Sequence, residues 1–191
     1  MKNIRQLFVA RLGAVLAGVA ILTAVQAADV TPERLVNSER EPQNWLNHHG
    51  NYEAHRFSGL DQINKSNVKR LVPAWNFSLS NDMGELAQPT VYNGVMYVVN
   101  GNWTFAIDVE TGRQIWRTPV NYDRGALRVT TGGAYMRGAA TIYNGKLYRQ
   151  TLDAHVMALD MATGKEIWKT KFGEWKESYG GIVAPMIANG V

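Results

Sequence analysis

The chain has 191 residues, of which 46% are hydrophobic and 19% are charged, and it contains no cysteine. This is the composition of a globular protein, and it excludes a disulfide, a thiolate metal site and a lipid-modified cysteine within the sequence. The formal net charge is +4, but three of the basic residues lie among the first eleven, so the remainder is nearly neutral and gives no support for nucleic-acid binding.

The N-terminus has the pattern of a secretory signal peptide. Three basic residues precede or begin an almost wholly apolar stretch over residues 12–25, and small residues lead up to Ala27. We therefore predict a signal peptide over residues 1–27 and an exported region over residues 28–191. The alternative is a membrane anchor, although the apolar stretch is short for a span of about 20 residues.

Residues 28–72 are polar and irregular. Residues 60–71 predict a short helix that Ser66 or Asn67 caps. Residues 74–79 alternate apolar and polar side chains, which is typical of a half-buried strand.

Two stretches of about fifty residues then repeat the same signals. Each has an Asn-Gly pair between apolar residues, which predicts a hairpin with a type I′ turn. Each continues with the phrase A-x-D-x-x-T-G-x-x-x-W, whose Asp and Gly are typical turn residues. The phrase covers residues 106–116 and 158–168. The predicted strands are 90–92, 95–99, 105–107 and 114–117 in the first copy, and 141–143, 146–148, 156–159 and 166–168 in the second.

Four-stranded units in tandem are typical of β-propeller blades. A blade buries its faces only against neighbouring blades, so Trp116 and Trp168, which end the two phrases, are expected to dock between blades. A third copy opens over residues 185–191. Because two blades would leave apolar faces and strand edges exposed, we expect the sequence to be part of a longer chain that is interrupted in its third blade.

The repeated phrase resembles the tryptophan-docking motif of eight-bladed quinoprotein propellers. Residues 45–75, with Trp45-Leu46, Arg56-Phe57-Ser58, Asp61-Gln62-Ile63-Asn64 and Ala74-Trp75, are similar to the opening of alcohol dehydrogenases of the methanol and ethanol type that depend on pyrroloquinoline quinone (PQQ). The resemblance implies an all-β fold, an eight-bladed propeller of four-stranded antiparallel blades, of which about the first two are present. It also implies a periplasmic enzyme that oxidises an alcohol to an aldehyde or ketone with PQQ and calcium, and passes electrons to a cytochrome c.

Glu85 and Arg137 occupy equivalent positions in the two repeats, shortly before the first strand of each. In a propeller the first strand lines the central channel, so both side chains are expected at the channel mouth. A guanidinium presents a planar fork of donors that suits the carboxylates and quinone oxygens of PQQ. The resemblance matches both residues to family positions that contact the cofactor.

Three positions depart from the family pattern. Adjacent cysteines that stack on PQQ are replaced here by Thr131 and Gly132, an asparagine before the arginine is Met136, and a cofactor-binding threonine falls on Gly180. The resemblance still places Thr131, Gly132 and Gly180 beside the cofactor. The catalytic aspartate and the calcium ligands of the family are expected beyond Val191, so we predict no catalytic or metal-binding residue in this sequence.

Two alternative functions stay open. One is a non-enzymatic propeller scaffold of the outer-membrane barrel assembly type, which shares the blade motif. That class needs a lipidated cysteine, and it has no reason to combine Glu85 with Arg137. The other is a quinoprotein that acts on an amine-bearing, polymeric or sugar substrate.

The histidines are expected to have no specific role. Adjacent side chains diverge, so His48 and His49 are interpreted as a solvated pair rather than as metal ligands. His155 lies in a predicted hairpin and is expected to be exposed.

Overall fold

The computed structural model describes residues 29–80, 86–129 and 139–188, and this part of the chain contains two four-stranded antiparallel sheets. Within each sheet the strands are paired in chain order, so each is a simple meander. The first sheet comprises β1 (Thr90–Tyr92), β2 (Val95–Val99), β3 (Trp103–Asp108) and β4 (Gln114–Pro119). The second comprises β5 (Thr141–Tyr143), β6 (Lys146–Thr151), β7 (His155–Asp160) and β8 (Glu166–Lys171). The eight predicted strands are confirmed.

Helices are few and short. They are α1 (Pro32–Val36), α2 (Ala126–Val129) and single 3-10 turns at Ser38–Arg40, Val68–Arg70 and Trp175–Glu177. None of the helices in the described ranges is long and apolar enough to cross a membrane. The predicted signal peptide over residues 1–27 lies outside those ranges, and so do the last three residues of the predicted third copy. Both predictions therefore stay open.

The first hairpin of each blade has the predicted turn. Asn93 and Gly94 have φ angles of 48° and 75°, and Asn144 and Gly145 have 47° and 66°. A type I′ turn requires positive φ at both central residues, which asparagine and glycine tolerate best. This confirms the turn chemistry that the two Asn-Gly pairs predict.

The turn between the third and fourth strands is held by an aspartate. One carboxylate oxygen of Asp108 accepts hydrogen bonds from the Thr111 N–H (2.8 Å) and hydroxyl (2.6 Å). Asp160 makes the same pair of bonds to Thr163, at 2.8 and 2.7 Å. The threonine hydroxyl, helped by the backbone N–H, lowers the pKa of both carboxyl groups. The aspartate and threonine that both copies of the phrase share therefore stabilise a local turn.

Trp75 and Trp116 join successive units, because each docks on the glycine of the Asp-x-x-Thr-Gly turn in the following unit. Trp116 of β4 is 9% exposed, and its Nε1–H donates to the Met161 carbonyl at 3.0 Å. Its ring covers Gly164 so closely that an added Cβ would lie 2.5 Å from it. Trp75 makes the equivalent bond to the Val109 carbonyl, at 2.9 Å, ahead of the first blade. Trp116 thus docks as predicted, whereas Trp168 is 39% exposed among the described residues.

The docking contact at Gly164 can be tested against a matched glycine. Gly164→Ala in the complete protein is expected to lower the free energy of unfolding by about 2 kcal/mol more than Gly145→Ala, because overpacking adds to the strain of a positive φ. Both glycines have positive φ, but an added Cβ at Gly145 meets nothing within 4 Å. Urea unfolding of the two variants would measure the difference, and equal losses would contradict the docking contact.

Two predictions for the segment before the blades need correction. Residues 74–79 form no strand; Trp75 and its neighbours instead pack their apolar side chains on Val98, Phe105 and Ile107 of the first blade. The alternating pattern of these residues correctly identified the side chains that pack, but none of the described strands pairs with residues 74–79. Of the predicted helix over residues 60–71, only the turn Val68–Arg70 forms.

The part of this segment around Trp45 lies beside the open edge of β1. Trp45 and Val91 form an antiparallel bridge, with N–H to carbonyl distances of 2.7 and 3.0 Å. The Asn44 side chain accepts the Asn93 N–H at 2.9 Å, and Asp29 accepts the Gly145 N–H at 3.1 Å. The edge of β1 is therefore partly covered. The core that results contains Val30, Leu35, Leu46, Tyr92, Tyr97, Val99, Ala106, Trp116, Val120, Ala140, Ile142, Leu147, Met157 and Leu159.

Candidate functional site

The segments that lead into β1 and β5 lie at one end of the two sheets. Because neighbouring strands are antiparallel, that end also carries the β2–β3 and β6–β7 turns. The opposite end carries the Asn-Gly and Asp-x-x-Thr-Gly turns. We call the end from which the chain enters β1 and β5 the site end, because predicted cofactor residues precede these strands in the sequence.

Most of the predicted site residues lie outside the described ranges. These are Glu85, Thr131, Gly132 and Arg137, whose roles stay predictions. Their described neighbours do define where the chain enters each blade. Residues 86–89 lead from Glu85 into β1, and the buried Ala139 and Ala140 lead from Arg137 into β5.

Gly180 is described, and it is exposed at the site end. The next residue anchors it there, because the Gly181 N–H donates to the Thr151 carbonyl at 3.1 Å, at the β6–β7 turn. Gly181 is buried, and an added Cβ would lie 2.4 Å from the Gln150 side chain. Only glycine fits at Gly181, which keeps this segment against the second blade.

The entry points of successive units are joined by a repeated hydrogen bond. The hydroxyl of Thr90, the buried first residue of β1, donates to the Ala140 carbonyl at 2.8 Å. The hydroxyl of Thr141, the first residue of β5, donates in the same way to the Pro185 carbonyl. Ala140 and Pro185 stand at equivalent positions of the repeat. The first strands of consecutive units therefore start side by side.

A small apolar cluster joins segments that adjoin the predicted cofactor residues in the sequence. Its centre is Leu152 of the β6–β7 turn and Ala126 of α2, both fully buried. Ala87, which follows Glu85 by two residues, packs on this centre, and so does Ile182 from the segment of Gly180. Tyr122, Leu127 and Trp175 complete what we call the site-end cluster. Described residues that adjoin Glu85, residue 130 and Gly180 in the sequence thus share one packing centre.

A buried arginine joins the two blades beneath this cluster. Arg149 of β6 is 1% exposed. Its guanidinium donates to the carbonyls of Asn100 and Trp103, each at 2.8 Å, and to the hydroxyl of Thr104 at 2.9 Å. Burial lowers the pKa of Arg149 to about 10, so the side chain is still protonated at neutral pH. The sequence analysis missed this residue, although its place in the alternation Leu147, Arg149, Thr151 marks an inward-facing position.

A buried carboxylate lies next to the same cluster. The side chain of Asp153 is 7% exposed and accepts hydrogen bonds from the Thr151 hydroxyl (2.5 Å) and the Asp123 N–H (3.1 Å). Burial alone would raise its pKa, but these bonds together with Lys169 and His155 outweigh burial and lower the pKa. Asp153 is therefore ionised at neutral pH.

The expectation for His155 was wrong. Its side chain is only 23% exposed, because Nδ1 lies 2.9 Å from the Asp153 carbonyl and 3.2 Å from an oxygen of the Asp153 carboxylate. A local turn at Asp153 and Ala154 folds the imidazole back on the chain. Alternation in the hairpin did not reveal that contact.

The expectation for the adjacent histidines was also wrong. The rings of His48 and His49 lie together, with centroids 4.1 Å apart, and His48 Nδ1 is buried without a hydrogen-bond partner in the described part of the chain. Burial, followed by the neighbouring His49 and Arg56, lowers the pKa of His48. A neutral imidazole is therefore favoured there. Arg56 Nε–H donates to His49 Nδ1 at 3.1 Å.

One group of side chains in the described ranges has the donor types of a metal site. It consists of Glu39, Glu53 and His55, whose candidate ligand atoms lie within 4.8 Å of one another. All three residues are exposed, and they lie in the segment before the blades rather than at the site end. The arrangement is that of a surface ion-pair cluster.

Comparison with known proteins agrees with this architecture. Residues 45–173 match the family described as the glucose/ethanol/alcohol dehydrogenase, beta-propeller domain, of PQQ enzymes. The 1-butanol dehydrogenase (quinone) of Thauera butanivorans is 38% identical over 173 residues, which cover 87% of this chain and 27% of that protein. The quinohemoprotein alcohol dehydrogenase ADH-IIG of Pseudomonas putida is 34% identical over 177 residues, which cover 92% of this chain and 24% of that protein.

A solved structure shows the same arrangement of strands. A europium-containing methanol dehydrogenase superposes with a TM-score of 0.75 at 32% identity, over 82% of this chain and 28% of that one. The chain therefore spans about a quarter of the length of the relatives that it matches. The match over most of its residues and the two docked four-stranded blades lead to one conclusion: this chain belongs to the family of PQQ-dependent alcohol dehydrogenases and forms part of their β-propeller domain.

Proposed function

We propose that the complete protein containing this chain is a periplasmic dehydrogenase that oxidises an alcohol to an aldehyde or ketone with PQQ. The observation that carries the proposal is the site-end cluster, in which Ala87, Leu127 and Ile182 meet from segments that adjoin Glu85, Thr131 and Gly180 in the sequence. Each segment contains or adjoins a predicted cofactor residue. Relatives named for alcohol oxidation and for a quinone support the same substrate class and cofactor.

The predicted cofactor residues have the chemistry that a planar, anionic ligand needs, because Arg137 carries a positive charge and a planar fork of donors. Among the described residues, Gly180 is exposed at the site end and has no side chain that would obstruct a ligand there. PQQ, when bound, supplies the acceptor of the hydride equivalent that leaves the alcohol.

This chain would contribute binding and orientation. Arg137 would hold quinone or carboxylate oxygens with its planar fork, and Glu85 would accept a hydrogen bond from the ligand. Thr131 and Gly132 would cover one face of the ring with backbone, and Gly180 would leave space at its edge. Calcium, a cytochrome c acceptor and the catalytic aspartate belong to the proposal through the family alone. The calcium ligands and the aspartate are expected outside this sequence.

The proposal is tested on the complete protein with PQQ and calcium added to the metal-free, cofactor-free form. We expect a saturable change in PQQ absorbance, followed by dye reduction when ethanol or 1-butanol is supplied. Primary amines and aldoses, given in parallel, distinguish the other quinoprotein substrates. A protein that does not bind PQQ would favour the scaffold function.

Arg137→Lys tests the predicted cofactor arginine. The substitution keeps the positive charge but loses the planar donor fork, so we expect PQQ affinity to fall about tenfold, the value of one charge-assisted hydrogen bond. Titration of PQQ absorbance measures the affinity. Arg113→Lys is the matched control, because Arg113 is exposed next to the turn at the opposite end of the first sheet. Equal affinities for the wild type and Arg137→Lys would remove Arg137 from the site.

A further inference from the structure

Residues 74–79 lie on the first blade in the way that β4 lies on the second. The Trp75 Nε1–H donates at 2.9 Å to the carbonyl of Val109, the residue after the aspartate of the first blade's Asp-x-x-Thr-Gly turn. Its ring covers Gly112 of that turn, where an added Cβ would lie 2.6 Å away. Trp116 makes the same two contacts one blade later, at 3.0 and 2.5 Å. Trp75 therefore occupies the position that the fourth strand of a blade gives to its tryptophan.

The equivalence continues along the segment. Phe77 and Leu79 pack with the docked tryptophan on β2 and β3, and the rings of Phe77 and Phe105 meet edge to face with centroids 5.5 Å apart. Asn76 and Ser78, which alternate with them, are exposed. The segment thus has one face on the first blade and one face away from it, and β4 shows the same alternation of burial after its own tryptophan.

The segment differs from β4 in having no strand of its own blade beside it in the described part of the chain. β4 pairs with β3 along its length, with Arg117 opposite Phe105. Residues 74–79 receive no backbone-to-backbone hydrogen bond from the described residues, and the Leu79 carbonyl accepts a side-chain N–H of Asn100 at 3.0 Å. A row of unpaired N–H and carbonyl groups on an extended segment is a template for pairing with another strand.

The residues that lead into this segment also carry apolar surface. Large apolar side chains are exposed at six positions of residues 57–72, namely Phe57, Leu60, Ile63, Val68, Leu71 and Val72. Single exposed apolar residues are ordinary on a protein surface. This many in so short a segment is more typical of a surface on which another part of a protein packs.

We propose that residues 74–79 are the fourth strand of the unit that precedes the first blade in the propeller ring, and that the other three strands of this unit come from the part of the complete protein after residue 191. Blades bury their faces against neighbours on both sides, around a central channel. The chain spans about a quarter of the length of its relatives, so the complete protein has enough sequence to supply these strands. A unit built from two distant parts of one chain closes the ring.

The partner of this strand is identified by photo-crosslinking in the complete protein. The photoreactive residue p-benzoylphenylalanine replaces Asn76 in one variant and Arg117 in the other, because each follows a docked tryptophan and is exposed. The Arg117 variant is the matched control and is expected to crosslink to β3, where Phe105 lies opposite. The Asn76 variant is expected to crosslink to one peptide after residue 191. Ser78, on the same face, replaces Asn76 if that variant does not fold.

Crosslinking a mixture of isotope-labelled and unlabelled protein shows whether the two joined peptides belong to one molecule. We expect only fully labelled and fully unlabelled products, because the proposed unit closes within one chain. Half-labelled products would assign the strand to a second copy of the protein and overturn the inference. Crosslinks from position 76 that are confined to residues 28–191 would also overturn it, and so would no crosslink under conditions in which the Arg117 control gives one.

Amide exchange of the complete protein without substitutions is an independent test. If residues 74–79 pair with a strand along one edge, every second amide is expected to exchange at least about a hundredfold more slowly than in an unstructured peptide. Exchange at the unstructured rate throughout the segment would contradict the pairing. No cofactor enters either experiment, so both outcomes are independent of the proposed function.

Discussion

Arg149→Ala is expected to lower the free energy of unfolding of the complete protein by about 3 kcal/mol, because three acceptors, two of them in buried residues, each lose a hydrogen bond at once. The acceptors are the Asn100 and Trp103 carbonyls and the Thr104 hydroxyl, all in the first blade. Truncation also leaves a cavity where the aliphatic part of the side chain packed. Since the charge itself is removed together with its desolvation cost, the loss is smaller than that of breaking a buried ion pair.

Arg149→Met separates the two parts of this effect. Methionine fills much of the volume but donates no hydrogen bond, so we expect it to recover about 1 kcal/mol of the loss. The midpoint of urea unfolding, followed by tryptophan fluorescence, measures both variants. If Arg149→Ala unfolds at the same urea concentration as wild type, Arg149 does not hold the two blades together.

Trp116→Ala is expected to cost about 4 kcal/mol, within the range for removing a buried aromatic ring. The indole is 9% exposed, lies on Gly164 and donates to the Met161 carbonyl. Truncation removes the apolar area, the hydrogen bond and the cover of the next blade's turn together. Trp116→Phe keeps most of the area and should cost about 1–2 kcal/mol, for the lost N–H donor and the smaller ring. Thermal unfolding of the complete protein gives the order of the variants.

Trp168→Ala is the informative companion to this substitution. Trp168 is at the same position of the second repeat but is 39% exposed among the described residues. If a third unit covers it in the complete protein as the second covers Trp116, Trp168→Ala should cost about as much as Trp116→Ala. A loss of less than about 1 kcal/mol, the value for an exposed side chain, would show that no such unit docks there.

Features that depend on a few neighbouring residues were predictable. The positive φ angles at Asn93 and Asn144 follow from the preference of Asn-Gly pairs for type I′ turns. The carboxylates of Asp108 and Asp160 bond to threonines only three residues away. Because such contacts are local, their pattern repeats in the sequence whenever the unit repeats.

Contacts between distant parts of the chain were not predictable in the same way. Trp75 docks as Trp116 does but lacks the phrase that marks the others, since it precedes the first complete blade. The rings of His48 and His49 lie against each other at a tilt, and Trp45 forms a bridge to Val91; no local pattern in the sequence shows either contact. Residues 74–79 have the alternation of a strand, but none of the described strands pairs with them.

The sequence by itself determined the repeated four-stranded unit, the chemistry of its turns and the family to which it belongs, because these depend on short-range spacing that recurs intact. Only the tertiary structure decided that Arg149 bridges the blades, that Asp153 accepts the Asp123 N–H from the segment after β4, and that Ala87, Ala126 and Ile182 share one apolar cluster with Leu152. These features arise where residues from different blades meet. A buried charge is tolerated there only because backbone carbonyls and N–H groups from the neighbouring blade satisfy it, and those partners come together only on folding.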